Sequence, residues 1–308
     1  MRLIAKVQAV GALALALVAP VAQAQDGKGD VVYVPTPQVV VDEMLRMGKV
    51  SAADYLIDLG SGDGRIVITA AKKLGARGFG VDLDTYLLKL ANASAKKEGV
   101  TDRAHFVEQN LFETDLSPAT VVTTYLLPEM NRKLRPKLLA LKPGTRVVAH
   151  DYSMGDWDAD EERTLIVPEK TVGDPGKSYV YLYIVPARVA GRWESQVAAG
   201  AKPVPFNFTF QQNYQLVHGN VRVGEREVTV PQFRIAGERI AFNLAVPGAS
   251  GAPVVHRFNG VVKGDAIDGT VTVGEGAAQR VLPWKAKQTT RGEANMTSTG
   301  AIVTGSLR

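Results

Sequence analysis

Asp58-Leu-Gly-Ser-Gly-Asp-Gly64, followed about 20 residues on by Gly80-Val-Asp-Leu-Asp84, decides how this chain is read. The apolar run Tyr55-Leu56-Ile57 leads into the glycines, and a segment with helical spacing, Arg65 to Leu74, leaves them. A strand that turns sharply on glycines into a helix start presents backbone N–H groups to a polar ligand. A second apolar run, Gly78 to Val81, delivers Asp82, whose carboxylate can accept hydrogen bonds from both hydroxyls of a ribose. Asp84 shares its strand face and is the alternative, with Asp82 preferred. Gly60, Gly62 and Gly64 read G-x-G-x-G. The dinucleotide fingerprint needs glycine at 65, where the chain has Arg65, and no Lys-Ser/Thr pair follows as in a phosphate-binding P-loop. The pattern predicts a nucleoside site.

Outward from this motif, apolar runs of two periods alternate. A helix is expected over Gln38–Met47. Strands are expected over 55–59, 78–83, 104–107, 120–126 and 146–150, and helices over 65–74, 85–98 and 129–141. Short strands alternating with helices predict an α/β, doubly wound, mostly parallel sheet. Runs at 163–167 and 179–185, separated by Gly173-Asp-Pro-Gly176, add a hairpin and bring the count to seven strands. After Pro186 the pattern changes to short alternating runs broken by Gly, Asn and Pro, with Phe206, Phe208 and Phe210 in strict alternation. About eight such runs predict an all-β barrel or sandwich domain over 187–288. The polar stretch 289–308 reads as a flexible tail.

The 308 residues contain no cysteine, which excludes disulfides, thiolate metal sites and thiol nucleophiles. Arg2 and Lys6, the uncharged apolar stretch Val7 to Ala19, and Ala22-Gln-Ala24 have the three parts of a secretory signal peptide over 1–24, leaving 25–32 as a tether. An uncleaved anchor is the alternative; either way the body is expected outside the cytoplasm, periplasmic or extracellular. Charge is uneven. Residues 25–186 carry 20 basic and 23 acidic side chains, whereas 187–308 carry 14 and 8, a net of +6. That excess suits contact with an anionic surface or ordinary solvation of a small β-domain. No interleaving of basic and aromatic residues points to nucleic acid, and His105, His218 and His256 have no metal-ligand spacing.

The glycine loop with its distal acid closely resembles motif I and the partner acid of class I S-adenosylmethionine-dependent methyltransferases. The resemblance spans roughly residues 33–186. It is carried further by Tyr33-Val-Pro-Thr-Pro-Gln-Val-Val, Asn110-Leu-Phe-Glu-Thr-Asp-Leu, Thr123-Thr-Tyr-Leu-Leu-Pro-Glu-Met-Asn131 and His150-Asp-Tyr-Ser-Met-Gly-Asp-Trp157. These look most like bacterial relatives of the lysine methyltransferases of the ATP synthase c-subunit and the adenine nucleotide translocase. Gly191-Arg-Trp193 resembles the opening of small lipocalin-like barrels.

The resemblance implies S-adenosylmethionine as cofactor and a list of binding residues more than a catalytic triad, because the methyl donor arrives activated. It places Gly60, Ser61, Gly62, Asp63 and Gly64 along the methionine and ribose end, Asp58 at the loop or the amino group, and Asp82 at the ribose. Asn110 falls where many relatives carry an acid facing the adenine amino group. Tyr33 and Thr36 match a segment closing over the methionine moiety. Tyr125 and Pro128, with Thr124, form the expected acceptor wall, and His150, Asp151 and Glu129 are polar candidates near it. His150 is equally readable as a satisfied strand-end histidine. The Asp/Asn-Pro-Pro-Tyr signature of base and amide methylation is absent, which disfavours those acceptors; the resemblance alone implies a protein lysine, in an envelope or membrane protein. The acidic run Asp156, Asp158, Asp160, Glu161 and Glu162 reads either as a rim attracting that lysine or as a solvated loop. Two other functions compete: an exported ligand binder without turnover, and a barrel that carries an apolar ligand or docks to the envelope. Large inward aromatics would argue against the carrier.

Overall fold

The computed structural model describes residues 32–198, 203–248 and 251–296; the signal peptide and all but the last residue of the tether lie outside them. The first unit is built from α1 (Gln38–Met47), β1 (Tyr55–Leu59), α2 (Arg65–Leu74), β2 (Arg77–Asp82), α3 (Thr85–Lys97), β3 (Ala104–Glu108), β4 (Val121–Thr124), α4 (Pro128–Leu138), β5 (Arg146–His150), β6 (Glu161–Ile166) and β7 (Lys177–Ile184). Its seven strands run in the order β3-β2-β1-β4-β5-β7-β6. All pair in parallel except β7, which is antiparallel to both β5 and β6. The strand order reverses between β1 and β4, so the crevice at their carboxyl ends is the place where a sheet of this kind binds ligands.

Local chemistry explains the elements. In α2, Ile66, Val67, Ile68, Ala70 and Ala71 bury one face, and left-handed glycines, Gly64 and Gly75, bound it at each end. Asp84 caps α3 by accepting from the amides of Tyr86 (2.8 Å) and Leu87 (3.2 Å). Pro128 opens α4, where its missing N–H costs nothing. Strand β4 is shorter than the apolar run 120–126 suggested. Its register with β1 pairs only Val121–Thr124 with Leu56–Leu59, so Tyr125 and Leu126 are released to turn over the sheet edge.

The second unit contains β8 (Gly191–Val197), β9 (Val204–Asn213), β10 (Leu216–Val223), β11 (Arg226–Arg234), β12 (Arg239–Pro247), β13 (Pro253–Lys263), β14 (Ala266–Val273) and β15 (Arg280–Arg291). They form one antiparallel sheet in the order β11-β10-β9-β8-β15-β14-β13-β12. Its two edges, β11 and β12, are joined by a short turn with a bridge between Ala236 and Arg239, so the sheet nearly closes into a barrel. The inward face carries Trp193, Phe206, Phe208, Phe210, Phe242, Phe258 and Trp284, all buried. Phe258 lies 4.9 Å from both Phe242 and Trp284 between ring centroids. These rings occupy the interior, which argues against the alternative of a barrel that carries an apolar ligand.

The chain end is held further than the composition of 289–308 suggested. Strand β15 continues to Arg291. Asn295 bridges Asn213, and Met296 is buried in the cluster that contains Trp157 and Tyr183 of the first unit.

Candidate active site

The glycine loop leaves β1 as a tight cradle. The amides of Gly60 and Ser61 both donate to the Val81 carbonyl at 2.9 Å, and that of Gly62 donates to Asp82 Oδ2 at 2.8 Å. Gly60, Gly62 and Gly64 all have positive φ (76°, 51° and 78°), where a side chain would strain the backbone. Space forbids one as well. A Cβ on Gly62 would lie 2.3 Å from the Tyr33 ring, and one on Gly64 would lie 2.4 Å from that of Phe106.

Tyr33 covers the loop and hydrogen-bonds Asp63; burial and that carboxylate push its hydroxyl up to about 12. Arg65, the residue that broke the dinucleotide fingerprint, has a structural purpose. It grips Asp63 through two nitrogens (2.9 and 2.6 Å) and donates to the Thr36 carbonyl at 2.8 Å, tying the 33–37 segment to the loop. This clamp was not anticipated from the sequence.

Three carboxylates surround the cradle. Asp58 is buried and accepts from the Thr123 hydroxyl at 2.7 Å. Burial pushes it up to about 7, against that hydrogen bond, with the charges of Asp82 and Asp63 acting in the same direction as burial. Asp82 accepts from the amides of Gly62 and Asp84 (3.0 Å) and faces the loop from the end of β2. Asp84 is committed to its helix cap, so of the two rivals only Asp82 is turned to the cradle. Asn110 spends its amide oxygen on the Phe112 amide (3.0 Å) and its nitrogen on Glu113 (3.4 Å), stabilising a turn after β3. Leu83 and Tyr86, on either side of Asp84, are exposed apolar side chains at the same edge; no periodicity marked them beforehand.

The residue set suits an adenosyl amino acid: a tight glycine turn that brings the backbone close, an acid at the end of β2 for ribose hydroxyls, and a buried carboxylate for a positive charge. Ser61 Oγ is also buried beside the loop with no protein partner.

Across the crevice, the Tyr125 hydroxyl donates to Asp151 Oδ2 at 3.0 Å. Asp151 also meets the Lys170 ammonium (2.7 Å) and accepts from the Tyr179 amide (3.1 Å). Lys170 is buried and donates as well to the Lys177 carbonyl. Asp151 is held at φ +60°, in the left-handed region that aspartate tolerates. Burial and Asp151 raise the Tyr125 hydroxyl well above its ordinary value, so Tyr125 stays protonated. Lys170 was missed because nothing local in its sequence distinguishes it. Pro128 sits where α4 begins, with Glu129 in its first turn.

His150 requires a correction. It is fully buried, with Nδ1 at 3.2 Å from Thr36 Oγ1 and Nε2 at 3.2 Å from Ser178 Oγ. Burial lowers it to about 4, so it is neutral. Its ring supports that of Tyr125 at 3.9 Å. It is the satisfied strand-end histidine, lying behind the wall and not in it.

The acidic run is also partly reassigned. Asp156 pairs with Arg135 (2.5 Å) and accepts from Tyr214 (2.9 Å). Asp160 accepts from the Ile184 amide (2.7 Å) and meets Arg234 (3.4 Å). These two carboxylates join elements of the protein and are not a free rim.

Comparison with known proteins agrees with this geometry. The profile of the ANTKMT methyltransferase domain family matches residues 58–161. A protein-lysine N-methyltransferase of Saccharolobus islandicus is 46% identical over 155 residues, covering 50% of this chain and 92% of that protein. The ATP synthase c-subunit lysine N-methyltransferase of Xenopus laevis is 33% identical over 129 residues, 42% of this chain and 56% of that protein. The chain thus spans little more than half the length of this second relative. A crystal structure described as an RNA methyltransferase from Salinibacter ruber, in complex with S-adenosyl-L-homocysteine, is 49% identical, covers 51% of this chain and 96% of that one, and has a TM-score of 0.46.

A seven-stranded sheet with a glycine cradle and a distal acid is the frame of an enzyme that binds a nucleoside cofactor, and the methyltransferase relatives give its class. The chain belongs to the class I S-adenosylmethionine-dependent methyltransferases, and its cofactor is S-adenosylmethionine.

Proposed function

We propose that this enzyme methylates the side-chain amine of a protein lysine. The observation that carries the reading is the Tyr125 hydroxyl, fixed by a buried Asp151–Lys170 pair across the crevice from the glycine cradle. Because Tyr125 donates to Asp151, the lone pairs of its oxygen remain to accept an N–H from an incoming amine. The lysine relatives support the same acceptor.

In this reading Tyr33, Thr36, Asp58, Gly60, Ser61, Gly62, Asp63, Gly64 and Asp82 hold the cofactor, with Asn110 shaping the adenine end through its turn. Tyr125 and Pro128 form the acceptor wall. The bound cofactor supplies an activated methyl group. A lysine nitrogen held by Tyr125 would offer its lone pair to that methyl group, with the cofactor's sulfur as the leaving group. The amine must be neutral to attack. His150 is enclosed and Asp151 is already satisfied, so neither takes the lysine's proton, which leaves to solvent before the amine is enclosed. The protein contributes alignment and exclusion of water. The methyltransferase relatives, more than the cradle, weigh against a binder without turnover.

The test is transfer of labelled methyl from S-adenosylmethionine to unmodified protein, with lysine identified by mass spectrometry and RNA offered in parallel. The expected result is lysine methylation abolished by Asp82→Ala. It should be reduced by roughly 10- to 100-fold in Tyr125→Phe, which keeps the ring on His150 and loses only the aligning hydroxyl. Label in RNA and none in protein would replace the lysine reading.

We also infer from the leader that the enzyme works outside the cytoplasm on an envelope protein, its basic barrel turned to an anionic surface. Recovery of the chain from the cytoplasmic fraction alone would reject this.

A further inference from the structure

The connection from β5 to β6, residues 151–160, carries the acceptor side of the site at one end and the barrel contact at the other. Near its start, Asp151 holds Tyr125. Asn131 of α4 donates to the Tyr152 carbonyl at 2.9 Å. Arg135, fully buried, donates to the Met154 carbonyl at 2.6 Å and pairs with Asp156, and the Met154 amide donates to the Tyr183 hydroxyl at 2.9 Å.

From there on partners from the barrel join those of the first unit. The Tyr214 hydroxyl donates to Asp156 at 2.9 Å, Gln215 Nε2 donates to the Asp158 carbonyl at 2.6 Å, and Arg234 donates to the Ala159 carbonyl at 3.2 Å. The Tyr214 ring is stacked 6.3 Å from Trp157 and lies 5.7 Å from the Arg135 guanidinium, so Arg135 touches both units. Met296 closes the same cluster from the end of the chain. Tyr214 itself is held at φ +50°, and Asp151 at φ +60°. The connection thus starts on Asp151, a residue type that tolerates the left-handed region, and meets at Asp156 and Trp157 a tyrosine held there by its contacts.

We infer that the barrel is a brace for the acceptor wall, with Tyr214 as its principal positioning residue. The inference rests on the methyl-transfer reading of the site, but the brace is read without any acceptor. Tyr214 touches neither cofactor nor reacting atoms. Through Asp156 and Trp157 it fixes the loop that fixes Asp151, and through Asp151 the Tyr125 hydroxyl. An alignment error of an ångström at the reacting nitrogen is enough to slow transfer strongly.

Hydrogen–deuterium exchange on the whole chain tests this with Tyr214→Phe, which keeps the ring and removes the bond to Asp156, and with Asp156→Asn, which alters the same contact from the other side. The expected result in both is exchange over 151–160 faster by roughly five- to tenfold, the effect of losing one such hydrogen bond, while barrel strands β12–β14 keep their protection. S-adenosylmethionine affinity should stay within about twofold, and kcat should fall more than the acceptor KM rises. Unchanged exchange over 151–160 in both variants would overturn the brace. If the wild-type protein methylates RNA and no lysine, the exchange result stands by itself, so failure of the acceptor assignment and failure of the brace are separately visible.

Discussion

Asp58 is the residue whose environment departs furthest from water. Its carboxyl is raised from 3.8 to about 7 by burial. Between those values the folded chain holds a proton that the unfolded chain has lost. The ligand-free protein therefore gains its full share of stability from Asp58 below 3.8 and loses it as the pH rises through about 7. A cationic ligand beside the carboxylate works against that loss. Cofactor affinity is expected to increase from about pH 6 to about pH 8, and Asp58→Asn to flatten the profile; calorimetric titration across the range measures both. Gly62 offers a second prediction. A Cβ there would meet the Tyr33 ring at 2.3 Å and strain a backbone at φ +51°, so Gly62→Ala should displace Tyr33 and weaken cofactor binding by about tenfold or more, for a strain of about 1–3 kcal/mol. Binding equal to wild type would mean that Tyr33 moves freely and is no part of the site.

At the scale of elements, the cradle depends on how β1, β2 and α3 end. Asp84 was a candidate for ribose contact and is instead the cap of α3. Asp84→Ala is expected to cost about 1 kcal/mol of stability in a denaturant titration while leaving cofactor affinity little changed. A loss of affinity matching that of Asp82→Ala would reverse the assignment. The strands were legible because their apolar runs are short and their turns marked by glycine. Strand β4 was read too long because its end is set by the length of its neighbour β1, and no feature of residues 120–126 encodes that length. His150 illustrates the same difficulty in a side chain. A histidine at a strand end reads alike whether it faces a substrate or the core, and only Thr36 and Ser178, brought from distant positions, decide.

For the molecule as a whole, the barrel's contents matter most. Phe208 contacts Phe206, Phe210, Phe242, Phe258 and Trp284. Phe208→Ala should therefore destabilise the chain by about 3–5 kcal/mol in a denaturant titration followed by tryptophan fluorescence. Apolar dyes should show no saturable binding to the wild-type barrel; a tight, stoichiometric dye complex would restore the carrier reading.

The sequence by itself determined the class of sheet, the glycine cradle and the acid beside it. These depend on local rules: the period of apolar residues, the backbone freedom of glycine, and the distance along one strand–helix–strand unit. Tertiary structure alone decided that Asp84 is a helix cap, that His150 is enclosed behind Tyr125, that Lys170 pairs with Asp151, and that the barrel grips the connection from β5 to β6. All but the cap are settled by partners far apart in the chain, as Asp156 is by Tyr214 and Arg135. A charged residue reads the same in sequence whether it meets water or a buried counter-ion, and only packing separates the two.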